Sequence, residues 1–568
     1  MNESKAQERI HEAVRDSLSW LDRLPSQETE ILEQTKKEAE PLITVYNGTE
    51  ETRIEPAHMP VVTGNRAVRF RALAAIAAVL VLLTGIWTIR LNRIDNLPPD
   101  TVTQPVGSEA APGTPGQDSP KFPAAASLTD ETQSQSLDRI DLYVEEDLLW
   151  NKETGILTEG DNVDKSKGIP FQNTVYRQVA RAGGSAEGKL EYRNGQGSLL
   201  FTDDISLQLD PEDMYAMDMP QKSLLVKALD GAFDYPLFDD RTAASYPSTL
   251  LRNGGSDSMW TRVLDEMQHR LIDRHTDAHL LTQAWKPVNV YLNGEYWGIY
   301  NMRENVDAYT VCRYEQIPDQ QADDVAILYI SGGPVQTSGE MKNAFTGMRS
   351  RIKNSDPAHN PEDLAYLEQE VDIDSFLDWL TVEMYFGNSD IGNGMVYRVP
   401  GGKWKCLIQD LDYGLFNSSF NSVESFLKEK GMGEVAIDNS IFLKILEVDK
   451  YRELFFTKLG SLFHSLTTDV MLAELDECVA WIEPSMQAHF DRWAPLYDKA
   501  IIAEIPTTPE GARKYWESRI SRLQNTMRKR PTLLYNYIQE FFQMTDEEMA
   551  VYFPTDIPRT VDEISNTI

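Results

Sequence analysis

The sequence is poor in cysteine and in positive charge. Its 568 residues include three cysteines, Cys312, Cys406 and Cys478, and no CxxC pair, which argues against a zinc knuckle and a disulfide framework. Lysine and arginine number 54 against 89 acidic residues, so the net charge is −35 and the pI about 4.6. We expect no nucleic-acid partner, because that would require a basic face, although a nucleotide needs only a local basic cluster. Cys406 alternates with apolar neighbours and is interpreted as a buried thiol.

The first 137 residues differ in composition from the rest of the chain. Residues 1–65 are polar and acidic, with apolar positions at the spacing of one amphipathic helix, which either packs in a helical hairpin or meets a partner. Residues 72–89 are apolar or neutral and long enough to span a bilayer. A buried helix is the alternative. Residues 95–137 contain scattered prolines among Ser, Thr, Gln, Gly and Ala, a composition typical of an extended linker.

Arginines flank the 72–89 segment, three before it and two after it. This arrangement predicts a transmembrane helix with its N-terminal side in the cytoplasm. The expected location is therefore the cell membrane, in a single pass, with the C-terminal part outside the cytoplasm.

From residue 138 the pattern indicates a globular domain. Seven short segments predict strands up to about residue 300, and NGEYWG between the last two predicts a hairpin turn. After residue 360 helical patterns dominate. Strands first and helices second predict an α+β fold, with a strand-rich N-terminal part and a helical C-terminal part. In VDIDSFLDWLTVEMYF one helix face carries the apolar residues Ile373, Phe376, Leu377, Leu380 and Met384.

The stretch 385–416 concentrates the residues that suggest chemistry. Two short alternating segments on either side of a Pro-Gly-Gly turn predict a hairpin. Asp390 and Asn393 precede its first strand, and Asp410 and Asp412 follow its second. A tight hairpin would bring these four side chains to one end, and such oxygen donors suit Mg²⁺, which keeps some waters for phosphate oxygens. The alternative is that turns favour Asp, Asn and Gly for local reasons.

Several motifs occur in an order that resembles the spore-coat protein H (CotH) kinase family. They are LLRNGGSD, PVNVYLNGEYWGIYNMRENVD, YFGNSD with a following Asn and VYR, KWKCLIQDLDYGLF, SIFLKILEVDKYRELF and HFDRW. The resemblance covers roughly residues 140–545. It implies an atypical protein-kinase-like fold that binds ATP and Mg²⁺ and phosphorylates proteins, the spore coat being the family's known setting. An ordinary protein kinase is excluded, because neither GxGxxG nor HRD occurs.

The resemblance also implies roles for individual residues. QKSLLVKA is similar to the family's lysine strand, which puts Lys222 on the nucleotide phosphates, with Lys227 as the runner-up. Glu304, in MRENVD, would pair with Lys222 as a kinase helix glutamate does. Asp390 would orient or deprotonate the acceptor hydroxyl. The plainer alternatives are that the lysines are solvated on an edge strand and that Glu304 forms a surface ion pair or caps a helix.

The same resemblance makes Asp410 the metal ligand. Asp412 would be a second ligand or a turn residue, and Asn393 a metal-ligand analogue, although its spacing from the preceding aspartate is shorter than the family's. Gln409 stands where the family usually has Trp. Trp404 would stack on adenine or lie in the core.

The RNGGSD segment adds a possible ligand contact. Gly254 and Gly255 would let the backbone approach a ligand. The default interpretation is that they are glycines of a turn. Arg252 and Asp257 would form a structural ion pair beside them.

These patterns predict a membrane-anchored atypical protein kinase that transfers the γ-phosphate of ATP to Ser or Thr of envelope or coat-type proteins. One alternative is a non-catalytic, surface-anchored envelope or binding protein that keeps the fold, because ATP is scarce outside cells. Another is a sugar-processing enzyme that uses Asp390 and Asp410 as paired carboxylates. The predicted organisation is a cytoplasmic segment (1–65), a transmembrane helix (72–89), a linker (95–137), the CotH-like kinase domain (138–545) and a C-terminal tail (546–568).

Overall fold

The computed structural model describes most of the chain from residue 137 onward. The described residues are 137–159, 174–210, 219–428, 431–432, 437–499 and 505–560. The predicted cytoplasmic segment 1–65, the 72–89 segment and all of the predicted linker except its last residue lie outside them.

Seven strands close into a barrel in the order β1-β2-β3-β4-β5-β7-β6. Neighbours are antiparallel except β1 and β6, which are parallel. Closure pairs every strand edge. The predicted strands GSLLF and ISLQL are one continuous strand, β3. The seven are β1 (Asp138–Val144), β2 (Ala186–Arg193), β3 (Leu199–Leu209), β4 (Leu224–Ala228), β5 (Ser248–Arg252), β6 (Trp285–Leu292) and β7 (Glu295–Glu304).

The turn between β6 and β7 forms where the sequence predicts it. Asn293 and Gly294 both have positive φ, 51° and 84°, the conformation that a two-residue hairpin needs and that Asn-Gly adopts readily. The Asn293 side chain also holds β1, accepting from Val144 N at 2.9 Å and donating to Val144 O at 2.8 Å. The turn therefore helps to close the barrel between β1 and β6.

A second, four-stranded antiparallel sheet has the order β11-β10-β8-β9. Its strands are β8 (Ala326–Tyr329), β9 (Pro334–Gln336), β10 (Met395–Arg398) and β11 (Lys405–Leu407). The predicted hairpin is the β10–β11 pair, in which Val396 faces Cys406 across the ladder. Cys406 is a buried free thiol, as expected.

Helices surround both sheets. They are α1 (Glu146–Trp150), α2 (Val175–Arg181), α3 (Leu264–His275), α4 (Ala308–Tyr314), α5 (Gly339–Lys353), α6 (Pro361–Glu370), α7 (Ile373–Phe386), α8 (Ser422–Leu427), α9 (Ser440–Glu447), α10 (Asp449–Ser465), α11 (Thr468–Trp493), α12 (Pro509–Phe542) and α13 (Asp546–Tyr552). The last of these lies in the predicted tail, where it packs against α10, with the Tyr552 ring 5.4 Å from that of Phe456.

Helix α7 is the central helix of the C-terminal part. It contacts α8, α9, α10, α12 and β11, and all its residues except Asp374 are buried. The prediction of one apolar face is therefore incomplete, because the helix is enclosed on every side. Arg530 of α12 donates to the carbonyls of Met384 and Tyr385 at 2.6 and 2.9 Å, and Gly387 ends the helix at φ 66°. These contacts satisfy the helix end and fix the direction of the chain toward the segment that precedes β10.

The expected protein-kinase-like fold is wrong. The described residues form a closed seven-stranded barrel and a second sheet packed with helices, a mixed α+β arrangement. The sequence pattern identifies six of the seven barrel strands, missing β5, and gives no indication that β1 pairs with β6 and closes the sheet.

The expected single-pass membrane protein is not supported either. None of the helices in the described part of the chain is long and apolar enough to cross a membrane. The 72–89 segment, on which that prediction rested, lies outside the described residues.

Candidate functional site

The residues on either side of the β10–β11 hairpin meet at one end of it. Asn393 Nδ2 donates to Asp410 Oδ2 at 2.8 Å and lies 3.5 Å from Asp390 Oδ2. Asp410 has φ 57°, a left-handed conformation that Asp tolerates better than most residues. Its side chain is 24% exposed, and Asp390 is exposed. This end of the hairpin is therefore acidic and open to solvent.

Arg252, the last residue of β5, lies beneath the open carboxylates. Its guanidinium forms ion pairs with Asp265 and with Asp410, the latter at 2.8 Å, and approaches Asp412 at 3.7 Å and Glu266 at 3.9 Å. Burial opposes its charge, but these carboxylates, Asp265 first, raise the pKa of Arg252 well above its usual value. One buried cation thus joins the barrel to the hairpin.

A second layer of charge fixes Arg252 in place. Asp265, on α3, is fully buried, pairs with both Arg252 and Arg303, and accepts from Leu411 N at 2.8 Å. Burial alone would raise the pKa of Asp265, but the two arginines hold that pKa well below its usual value. In the neighbouring Glu266 neither carboxylate oxygen accepts a hydrogen bond from the described residues, and burial raises its pKa. The interior of the site is therefore rich in negative charge.

The RNGGSD segment packs directly under Asp412. Ser256 N donates to Asp412 Oδ2 at 2.9 Å. Burial, and to a lesser extent the charge of the neighbouring Asp410, raise the pKa of Asp412 well above its usual value. A Cβ on Gly255 would lie 2.3 Å from the Arg252 Nη2 and 3.0 Å from Asp412 Oδ2. The glycine is therefore required for close approach to these side chains, with φ at 59°.

The expected Arg252–Asp257 ion pair is wrong. Asp257 is fully buried and accepts from the backbone N of Thr261 and of Leu264, both at 2.9 Å, and from the Thr261 hydroxyl. Burial raises the pKa of Asp257 to about 7. Its role is to hold the chain between the 3₁₀ turn Gly255–Met259 and α3.

Two further residues at this end were not found from the sequence. Glu383, in α7, is 1% exposed, and its Oε2 has no hydrogen-bond partner among the described residues. Burial, with Asp410, Asp265 and Asp390 adding to it, raises the pKa of Glu383 to about 8 despite a hydrogen bond from Asn388. Asn388 donates to the Asp410 carbonyl at 3.3 Å and accepts from Asp390 N at 3.1 Å. Glu383 therefore supports both acids through Asn388.

Lys222 and Glu304 are not brought together. Lys222 Nζ donates to Met219 O at 2.7 Å and lies 4.2 Å from the centre of the Tyr176 ring. The β4–β5 and β5–β7 ladders pair Leu224 with Leu251 and Leu251 with Met302. Lys222 is therefore level with Tyr300, four residues or roughly 13 Å along the strand from Glu304. Glu304 pairs instead with Arg241 at 3.1 Å. The expected Lys222–Glu304 pair is therefore wrong.

Lys222 nevertheless lies at the end of the barrel that faces the site. The hydroxyl of the next residue, Ser223, donates to Asn253 Oδ1 at 3.0 Å, and the same Oδ1 accepts from Gly255 N at 2.9 Å. The start of β4 is thereby tied to the segment under Asp412. Lys227, the runner-up, is exposed on β4 and pairs in register with Ser248 at the other end of β5.

Trp404 is a core residue, so adenine stacking on it is wrong. Its side chain is 0% exposed and packs edge-on against Phe345 at 4.8 Å between ring centres. Its backbone holds the ends of α6 and α7, donating to Glu370 O and accepting from Asp372 N. A nucleotide base cannot reach a face of this ring without opening the core.

The donor set at the hairpin end fits a hard divalent cation. Asp390, Asp410 and Asp412 offer carboxylate oxygens, and rotation of the Asn393 amide would present Oδ1 in place of Nδ2. No group of three or more His, Cys, Asp or Glu side chains within the described ranges forms a metal cage by itself. Mg²⁺ does not require one, because it is usually held by one or two carboxylates together with waters and substrate phosphates.

A model of the CotH kinase protein family matches residues 214–534, more than half of the chain. The matched range includes β4 to β11, helices α3 to α11 and every acidic residue of the site described above. No curated protein matches the chain significantly.

Proposed function

Because the chain belongs to the CotH kinase protein family, we propose that it is an atypical kinase that transfers the γ-phosphate of ATP to Ser or Thr hydroxyls of a protein. The observation that carries the proposal is the contact of Asn393 with both Asp390 and Asp410 at an open, acidic end of the hairpin. Phosphoryl transfer requires this combination, a metal-binding carboxylate next to an acid that faces the acceptor.

Asp410 is the proposed metal ligand, supported by Asp412 and Asn393. Bound Mg²⁺ would neutralise charge on the nucleotide phosphates. Both Asp410 carboxylate oxygens already accept hydrogen bonds, from Arg252 and Asn393, so the carboxylate is held in a fixed orientation. Such preorganisation is the main contribution a protein makes to phosphoryl transfer.

Asp390 is the proposed acid that orients or deprotonates the acceptor hydroxyl. It is exposed, so a protein acceptor can reach it, and its backbone N donates to Asn388 at 3.1 Å. Its location beside the metal-binding carboxylate matches the arrangement in which a hydroxyl approaches a metal-bound phosphate from the solvent side.

Arg252, held by buried Asp265, has the character of the cation that steadies the phosphates. In kinases such a cation is fixed by an acidic residue on a helix, and Asp265 lies on α3 and pairs with Arg252. This assignment takes the pairing role from Glu304, which binds Arg241. Lys222 remains a second candidate for the phosphates, because it lies at the same end of the barrel.

The competing function is a non-catalytic binding protein that retains the fold. The same acidic centre would then hold a cation or a nucleotide without transfer. The paired-carboxylate glycosidase is less well supported, because the family model that the chain matches is that of a kinase family.

Labelling with γ-³²P-ATP tests the proposal. The purified full-length chain should label itself or dephosphorylated casein on Ser or Thr when Mg²⁺ is present, and EDTA should abolish the label. Asp410→Asn should reduce transfer at least about a hundredfold, as does loss of other groups that stabilise transition-state charge. Asp390→Asn should abolish transfer while ATP–Mg²⁺ binding persists.

The matched control is Asp374→Asn, which removes an exposed carboxylate from α7 without touching the site. It should transfer phosphate at the wild-type rate. A folded wild-type chain that binds ATP with Mg²⁺ but labels nothing would favour the non-catalytic protein.

A further inference from the structure

An arginine–aromatic surface lies next to the acidic centre. It consists of Trp260, Tyr413, Phe416, Arg519 and Arg522. The Trp260 ring centre lies 4.6 Å from that of Phe416 and 5.7 Å from that of Tyr413. The guanidinium carbon of Arg519 is 5.4 Å from the Trp260 ring centre, and that of Arg522 is 5.6 Å from the Phe416 ring centre. Two cations thus lie over the rings of Trp260 and Phe416, and the Tyr413 ring packs against both rings.

The two arginines differ from the other cations near the start of α12. Arg513 pairs with Glu483 and Glu517, and Lys514 pairs with Glu510. In the described part of the chain neither Arg519 nor Arg522 forms an ion pair with a carboxylate. That is notable in a protein with net charge −35. Stacking on aromatic rings holds a guanidinium in place and leaves its N–H groups directed outward for an anion.

The surface is continuous with the site. Tyr413 directly follows Asp412, and Trp260 directly follows the 3₁₀ turn whose Ser256 N donates to Asp412. Placed end to end, the distances from Tyr413 to Trp260 and from Trp260 to Arg519 span at most about 11 Å. An extended peptide advances roughly 3.3–3.6 Å per residue. From Tyr413 the arginines are therefore about three residues away along an extended chain. Allowing up to about two more residues for the step from the acidic centre to Tyr413 gives a distance of three to five residues from the hydroxyl.

We propose that the arginine–aromatic surface binds acidic side chains of the acceptor protein, at positions three to five residues from the hydroxyl that is phosphorylated. The proposal rests on the proposed kinase function and adds a preference for the acceptor sequence. Carboxylates, or phosphates already present on the acceptor, are the ligands that a guanidinium binds best.

The ring faces argue against the base of a nucleotide as the occupant. Arg519 lies over Trp260 and, at 5.9 Å, over Phe416 as well, and the rings contact each other. A base would have to displace this guanidinium to stack. The groups that remain for a ligand are N–H donors, which match oxygen anions.

Two Ser-containing peptides test the preference. They are identical except that one carries Glu and the other Gln at the three positions located three to five residues from the Ser. The wild-type chain should have a KM about tenfold lower for the Glu peptide, because two guanidinium contacts are available to it. The Arg519→Gln/Arg522→Gln variant should lose this difference while keeping the wild-type KM for ATP.

The control is the Arg513→Gln/Lys514→Gln variant. It removes the same charge from the same helix but takes away cations that are already paired, so the preference for the Glu peptide should persist. Equal use of the two peptides by the wild-type chain would overturn the proposal. A rise in the KM for ATP in the Arg519→Gln/Arg522→Gln variant would also overturn it, because the surface would then serve the nucleotide.

Binding separates this inference from the kinase function. Fluorescence anisotropy with the two labelled peptides requires no phosphate transfer. If the wild-type chain labels nothing, the proposed kinase function fails. Selective binding of the Glu peptide that is lost in Arg519→Gln/Arg522→Gln would still support the surface as an acidic-peptide site, and equal binding of both peptides would refute it.

Discussion

Replacement of Glu383 by Gln should stabilise the protein, increasingly so as the pH rises. Glu383 is 1% exposed, has an oxygen without a hydrogen-bond partner among the described residues, and has Asp410, Asp265 and Asp390 as acidic neighbours. Each of these features disfavours the ionised carboxylate in the folded protein. Gln preserves the shape and can accept the hydrogen bond from Asn388, but it carries no charge at any pH.

The magnitude follows from linkage. The pKa of Glu383 is raised from 4.5 to about 8 on folding. Between these pH values the folded state binds more protons than the unfolded state, so the free energy of unfolding falls as the pH rises. One pH unit corresponds to about 1.4 kcal/mol. Ionisation of Glu383 therefore lowers the free energy of unfolding by almost nothing at pH 4.5, by about 3 kcal/mol at pH 7 and by about 5 kcal/mol above pH 8. The Gln variant does not lose this stability, because it cannot ionise.

Urea unfolding followed by tryptophan fluorescence at pH 5, 6, 7 and 8 measures the difference. The gap between Glu383→Gln and the wild type should widen steadily across this range. A gap that stays constant would show that the carboxyl titrates normally in the folded protein and that the burial argument is wrong. Glu368→Gln is a control of opposite sign, because hydrogen bonds from Lys450 and Tyr451 lower the pKa of Glu368.

In that control the carboxylate stabilises the folded protein above the unfolded pKa, and the stabilisation is lost as the pH falls. The Glu368 side chain is 38% exposed, so solvent limits the effect to at most about 1 kcal/mol. Glu368→Gln should be slightly less stable than the wild type at pH 7, with the gap closing below about pH 4.5.

Two further substitutions address the buried charge and the core. Arg252→Met should destabilise the chain by about 3–5 kcal/mol, because it leaves Asp265 and its neighbours without their cation; a melting temperature close to the wild type would refute this. Trp404→Ala should cost about 3–5 kcal/mol, as for other buried aromatic residues, and the folded protein should bind ATP–Mg²⁺ as before. Weaker nucleotide binding at unchanged stability would instead restore the adenine-stacking hypothesis.

The sequence predicted the hairpin end correctly because its geometry is local. A two-strand pattern around a Pro-Gly-Gly turn determines which residues stand at the open end, so the sequence alone is enough to group Asp390, Asn393 and Asp410. Roles that depend on distant contacts could not be predicted in this way. Arg252 meets Asp410 across 158 positions of the chain, and nothing near either residue indicates that contact.

Strand register explains the wrong pairing of Lys222 with Glu304. Lys222 precedes β4 and Glu304 ends β7, with β5 between these two strands. The register places the two residues about four positions apart, and each has another partner. Trp404 illustrates a similar limit, since the alternation of apolar and polar residues identifies a strand without showing what covers each of its faces.

Glu383 did leave a signal in the sequence, because it is a lone carboxylate inside the apolar run WLTVEMYF. A charged residue in such a run is either buried with polar neighbours or on a helix face open to solvent. In the structure Glu383 is buried, with a hydrogen bond from Asn388.

The distribution of cations bears on the proposed metal site. Arg252 contacts four carboxylates, and Arg303 adds a second cation for two of them, Asp265 and Glu266. Both guanidinium groups lie on the buried side, 11% and 2% exposed. The amide of Asn393 lies between the carboxylates of Asp410 and Asp390. A hydrated divalent cation that approaches from solvent would not need to displace either arginine. It would reduce the negative potential that adds to burial in raising the pKa of Asp412 and Glu383.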